Sequence, residues 1–165
     1  MANWYTAVTR GQADLLDSAF VFFVASADPN LLSGGNGEGP VNVSPRGGKL
    51  LLLSPNRIAF LDYHGSGNET QRHVAAGGPM TLMVCSFDET DAAIVRLYGN
   101  GNVIAMSECE YADRLQSLNP EQKGAPRQVI ELAVERTMTS CGYGVPVMSF
   151  VQNRDASQRG RRFKE

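Results

Sequence analysis

The stretch Gly65-Ser66-Gly67-Asn68-Glu69-Thr70 places two glycines and a cluster of small polar residues between a strand-like run and a helix-like one. Arg57 to Tyr63 supplies the strand pattern, and Asn68 to Ala76 supplies the helix pattern. The first amides of a helix have no intrahelical partner, and the helix dipole adds partial positive charge there. A glycine turn lets such amides close on an anion, and phosphate is the usual guest. The pattern is not a Walker loop, because no Gly-Lys-Ser/Thr follows. It also lacks the third glycine of the dinucleotide fingerprint. A reading without ligand fits the same residues: Ser66 with Glu69 three positions on makes a capping box. The turn alone leaves both readings open.

Other chemistry-bearing residues are sparse. His64 and His73 are the two histidines, nine residues apart. His64 reads as a surface residue at a strand end and His73 as a solvated helix residue. Neither neighbourhood offers the serine or cysteine partner of a nucleophilic triad, and no catalytic residue is assigned. No Cys or His pair has metal-ligand spacing, so no metal is expected. Cys85, Cys109 and Cys141 are odd in number and widely spaced, which argues against a disulfide framework and for a reducing, cytoplasmic setting. Cys141 sits in the glycine turn 140–146 and reads as structural. Trp4 and Tyr5 read as a staple for the N-terminus.

The elements that would position these residues are short. The chain has 165 residues, 42% of them hydrophobic, with a formal charge of -2. That is enough for one domain with a real core. It gives no global attraction to nucleic acid or anionic membrane. The longest apolar run, Ala19 to Ala27, is far short of a membrane helix, and residues 1–10 do not resemble a secretory signal.

Thr9 with Gln12 predicts a capping box opening a short amphipathic helix through Leu15, Leu16 and Ala19. Strands are predicted at 19–27, 41–44, 50–53, 57–63 and 80–87. A long strand over 93–106 should bend at Gly99-Asn100-Gly101. Pro45 to Gly48 reads as a turn, and 33–40 as a flexible loop. Ser107 with Glu110 predicts a second capping box, opening a helix through Leu118. In 129–138, Ile130, Leu132 and Val134 should face inward, and Glu131 and Glu135 outward. A last short strand is expected at 147–151. Six or seven strands with short peripheral helices, and no alternating βαβ units, predict a mainly β (α+β) fold: a closed or split antiparallel β-barrel. Residues 1–152 form the single domain, and 153–165, with four arginines and a lysine, form a polar basic tail.

Six segments in order then resemble one family. They are Phe22–Ala27, Val41-Asn42-Val43-Ser44-Pro45-Arg46-Gly47, Asn56–Tyr63, Gly65–Thr70, Val95-Arg96-Leu97-Tyr98-Gly99 and Ser140-Cys141-Gly142-Tyr143-Gly144-Val145-Pro146. They look like a branch of the pyridoxamine 5′-phosphate oxidase-like, FMN-binding split-barrel proteins, over nearly all of residues 10 to 152. The resemblance implies a homodimer of split barrels with FMN in clefts between subunits, its phosphate held by strand and turn residues, among them Ser44, Gly65 and Gly67. Carried over by position, Ser66, Asn68 and Thr70 would contact the phosphate. Arg46 or Arg57 would supply the countercharge, since a guanidinium fork can bond two phosphate oxygens. Arg96, on one face with Ile94 and Tyr98, would touch flavin, substrate or the subunit interface, or else lie on a solvated face. The oxidase itself ends in an Arg- and His-bearing segment that grips pyridoxal. The C-terminal part here has no histidine, so the expectation is an FMN-dependent oxidoreductase of another, unknown substrate. The alternative is a non-catalytic protein that binds or senses flavin, deazaflavin or haem.

Overall fold

A computed structural model describes residues 2–65, 67–122 and 124–154. Its elements, in chain order, are β1 (Asn3–Tyr5), α1 (Arg10–Ser18), β2 (Val21–Ala27), β3 (Val41–Gly47), β4 (Leu51–Ser54), β5 (Arg57–Tyr63), α2 (Glu69–Ala75), β6 (Pro79–Cys85), β7 (Ala93–Ala105), α3 (Ala112–Ser117) and β8 (Pro126–Cys141). Every strand pairing is antiparallel, in the order β3-β2-β6-β7-β8-β5-β4. β1 adds to the far half of β8. This is the expected split antiparallel barrel with short helices. The polar basic tail expected over 153–165 lies, from residue 155 on, outside the described residues.

The core follows from strand alternation. Phe22 and Val24, Ile58 and Phe60, Leu82 and Val84, Val95 and Leu97, and Ile130 and Leu132 all face the barrel interior. A second apolar layer lies outside the wall, where Leu115 of α3 covers Leu51, Ala59, Leu61 and Val129. β5 is therefore buried on both faces. The same cover corrects one expectation: Glu131, with the outward period, is only 8% exposed. Burying a carboxylate there demands partners, and it has them, as described below.

Local chemistry explains most element ends. Thr9 and Gln12 do form the reciprocal capping box of α1. The glycines of β7 mark an irregularity: the β7–β8 register slips between Tyr98 and Gly99, with Glu135 of β8 as the extra residue, and a Cβ at Gly99 would collide with the Ala133 carbonyl. Three expectations are corrected. The strand from Val41 continues through Pro45 to Gly47, because β3 has a ladder on one side only and an edge strand tolerates proline. The Ser107 box does not form. A 3₁₀ turn spans Met106–Glu108, and α3 starts after Tyr111, which makes no capping bond. Residues 147–151 form no strand and are held through Met148 N–H donating to the Phe87 carbonyl at 3.0 Å.

Candidate functional site

β3 and β5 share no backbone ladder, and side chains bridge the seam between them. Along β3, Asn42, Ser44 and Arg46 face inward and alternate with exposed Val41, Val43 and Pro45. Across the seam stands Asp62, on the barrel face of β5 and 1% exposed. It accepts Arg46 Nη1 at 2.7 Å on Oδ1. On Oδ2 it accepts Arg127 Nη2 at 2.8 Å, Arg127 Nε at 3.2 Å and Gln128 Nε2 at 2.8 Å. Arg127 reaches the seam through a bulge: Asp62 pairs with Gln128 and Tyr63 with Pro126, so Arg127 is the extra residue. Two guanidiniums against one carboxylate leave one positive charge over. Their side chains keep 24% and 20% of their surface, so both front on solvent. Arg46 Nε is buried without a partner, which leaves donor capacity unused.

The same face continues to the glycine turn. Asn42 Nδ2 donates to Ser44 Oγ at 2.9 Å and to Thr70 Oγ1 at 3.3 Å, tying β3 to the first turn of α2. Asn68 is the N-cap of α2 but makes no capping bond. Its Nδ2 donates to Gln71 Oε1 at 2.5 Å, and its Oδ1 is buried without a partner. Because α2 begins at Glu69, the Ser66–Glu69 capping box is corrected: Asn68, not Ser66, holds the cap position. Ser66 itself lies outside the described residues. The Glu69 carboxylate folds back over Gly67, where a methyl group would collide with it. The seam thus gathers Ser44, Arg46 and Thr70, with Gly65, Gly67 and Asn68 in the adjoining turn.

Arg57 and Arg96 are elsewhere. Arg57 opens β5, about 20 Å of strand away from Tyr63 at its other end. It bonds Glu131 with Nε at 3.0 Å and Nη2 at 2.8 Å, and Tyr111 Oη donates to the same carboxylate at 2.5 Å. Burial pushes the Glu131 carboxyl up, but the Arg57 and Tyr111 bonds outweigh it and hold it below its ordinary 4.5. Burial, then the bond to Glu131, pushes the Tyr111 phenol up. Arg57 is therefore a partner of Glu131 and not the countercharge at the turn. Arg96 lies on the outer face of β7, opposite Val95 and Leu97, and donates to Ser140 Oγ at 3.2 Å.

His64 is exposed at the turn, as expected, but His73 is not solvated. It is 0% exposed, with Nδ1 2.9 Å from Ser26 Oγ and Nε2 2.9 Å from Arg72 Nη2. Nε2 also lies 3.2 Å from the Gly39 carbonyl, so that nitrogen faces one obligate donor and one obligate acceptor. Sequence reasoning missed Asn42, Asp62, Arg127 and Gln128. The alternation of Asn42 with Ser44 and Arg46 was a usable signal, whereas Arg127 depends on the bulge. Beside Arg46, a cleft of about 670 Å³ opens between Phe20, Pro45 and Phe150, with Gln122 and Arg154 at its rim. Small-molecule sites fall in this size range.

No family model matches the chain. Among curated proteins it is 35% identical over 121 residues to a pyridoxamine 5′-phosphate oxidase family protein, ustO, of Aspergillus flavus. That match covers 72% of this chain and 48% of the relative, so the chain spans about half the length of the curated protein it matches. Among solved structures, a putative pyridoxamine 5′-phosphate oxidase from Lactobacillus delbrueckii superposes with a TM-score of 0.58 at 17% identity, covering 81% of this chain and 94% of that one. An FMN-binding protein from Syntrophomonas wolfei superposes with a TM-score of 0.57 at 14% identity, covering 84% of each chain. At these identities the two structures establish the shared split-barrel fold. Among the described residues, no helix is long and apolar enough to cross a membrane.

Proposed function

The chain is a pyridoxamine 5′-phosphate oxidase-like split-barrel protein, and we propose that it binds a flavin, FMN, and acts as an oxidoreductase on a small molecule still unknown. The observation that carries this reading is the seam. Arg46 has a buried N–H without a partner there, beside the hydroxyls of Ser44 and Thr70 and a helix start that its own N-cap leaves uncapped. These are donors suited to a phosphate, and a guanidinium can meet it with two parallel bonds. The FMN-binding neighbour from Syntrophomonas wolfei has the same fold and supports the same choice.

When bound, flavin supplies the hydride and electron-transfer chemistry itself. The chain's part is to hold and orient it. Arg46, Ser44 and Thr70 anchor the phosphate, and Gly65, Gly67 and Asn68 shape the turn around it. The cleft beside Arg46 offers apolar walls, Phe20 and Phe150, against which a ring can be kept from water. We propose a homodimer, since Val41 and Val43 stay 62% and 65% exposed along edge strand β3 and suit burial against a second copy. The free thiols Cys85, Cys109 and Cys141 suit a reducing cytoplasm.

A second reading is favoured by the character of the seam. Its described side chains are anchors, and Asp62 is engaged by four donors instead of being free to move a proton. That suits a protein that binds or senses flavin, deazaflavin or haem without turnover. One experiment separates the readings. The purified protein is expected to show flavin absorption, to bleach on anaerobic addition of NADH or NADPH, and to turn over steadily in air. Flavin absorption without turnover selects the binding protein, a Soret band moves the cofactor to haem, and a colourless protein that takes up no FMN removes both flavin readings.

A further inference from the structure

We infer that Asp62 is the positioning residue of this anchor and that Arg127 is its second cation. The inference rests on the flavin reading above in taking the bound anion to be the phosphate of FMN. Arg46 comes from β3 and Arg127 from β8, strands at different places in the wall, and no ladder fixes β3 to β5. What brings the two guanidiniums together is one carboxylate, each of its oxygens taken by a different arginine. Gln128 Nε2 completes the Oδ2 shell at 2.8 Å.

A long arginine side chain has much rotamer freedom to lose on gripping a ligand. Here Asp62 has removed that freedom before any ligand arrives, because its own 1% exposure leaves the carboxylate nowhere else to find partners. Arg127 spends Nε and Nη2 on Asp62, and Arg46 spends Nη1. The remaining edge of each guanidinium is left for an anion at the seam. The excess of one positive charge favours a phosphate over a neutral hydroxyl, so the pair discriminates FMN from riboflavin. Asp62 touches no ligand in this arrangement and acts only through the two arginines.

Positioning and plain electrostatics give opposite signs. If Asp62 acted only as a charge, Asp62→Asn would remove a repulsion and tighten FMN. If it positions the pair, Asp62→Asn frees both arginines and weakens FMN. The test is equilibrium binding of FMN and of riboflavin to the purified full chain, wild type, Asp62→Asn, Arg127→Gln and Arg46→Lys, with folding checked by thermal melts. We expect wild type to prefer FMN, and Asp62→Asn and Arg127→Gln each to lose about tenfold or more in FMN affinity, the loss of a charge-assisted bond. Riboflavin affinity should stay within about twofold in all four proteins. An Asp62→Asn protein that binds FMN as well as wild type, or better, overturns the positioning role. An Arg127→Gln protein with unchanged FMN affinity overturns the second cation. Should Asp62→Asn fail to fold, Arg46→Lys carries the test, since it keeps the charge and loses the fork: unchanged FMN affinity would then reject a geometric anchor. Wild type that binds FMN no better than riboflavin is a different failure. It removes the phosphate site itself, and the positioning role falls with it.

Discussion

Arg57 and Glu131 meet fork to fork across β5 and β8, Nε to Oε1 at 3.0 Å and Nη2 to Oε2 at 2.8 Å. The pair sits one ladder step apart, since Ala59 is the register partner of Glu131 and Arg57 that of Ala133. Tyr111 Oη closes the carboxylate from the α3 side. A carboxyl held below its ordinary 4.5 contributes stability that is present above that value and fades as pH falls through the lower folded one. Glu131→Gln should therefore cost about 1 kcal/mol at neutral pH, a modest figure because solvent screens the Arg57 side. The cost should shrink as the pH is lowered from neutral to well below the ordinary 4.5. Urea melts at the two pH values measure it, and an equal cost at both would refute the assignment. FMN affinity should not change in Arg57→Ala.

His73 is the other place where a buried polar group holds elements together. Its ring joins α2 to Ser26 of β2, while Arg72 beside it donates to the carbonyls of Leu32 and Gly39 and to Asp28. The loop between β2 and β3 is thereby pinned to the helix that carries Thr70. Removing the ring leaves both a cavity and unpaired polar partners, so His73→Ala should cost about 3 kcal/mol in chemical unfolding. Ser26→Ala removes one bond and should cost about 1 kcal/mol. A neutral outcome for His73→Ala would return the residue to the solvated role that its helix position suggests.

The β7–β8 bulge, with Glu135 of β8 as its extra residue, gives a cleaner steric test. A methyl group at Gly99 would run into the Ala133 carbonyl, which belongs to a backbone that cannot step aside without breaking the ladder. Gly99→Ala should cost about 3 kcal/mol or more. Gly144 has open space around its Cβ position, so Gly144→Ala should stay within about 0.5 kcal/mol. Thermal melts of the two variants, compared directly, decide it. Similar melting temperatures would show that the strand relaxes around the added group.

How much of this was legible in the sequence follows from how local each cause is. β5 matches its sequence range, and α1 its cap, because alternation and a Thr-Gln pair are read within a few residues. The barrel itself follows from strand count and the absence of crossover helices. Arg46, Ser44 and Thr70 could be named from the family resemblance; Ser44 and Arg46 share the inward face of β3, and Asn42 ties that face to Thr70. What failed needed distant chain. Glu131 and His73 look outward by period, yet α3 covers one and the β2–β3 loop closes over the other. Pro45 reads as a turn until β3 is known to be an edge. Arg127 and Asp62 meet only because a register slip swings Arg127 to the barrel mouth, and no spacing along the chain announces that.

The turn before α2 makes two predictions of opposite sign. The Glu69 carboxylate lies folded over Gly67, in the space where the phosphate oxygens are proposed to sit. Its negative charge opposes an anion there. Glu69→Gln keeps the shape and removes the charge, so FMN should bind more tightly. Asn68→Asp, at the N-cap next door, adds a charge and should weaken it. With water-like screening two unit charges near 4 Å interact by about 1 kcal/mol, so each change should be about fivefold or more. Both effects should shrink as salt is raised, since the turn is only partly buried. Riboflavin should respond to neither substitution, because it lacks the phosphate that the charges address. FMN affinities that shift the same way in both variants, or shift equally for riboflavin, would place the phosphate away from this turn.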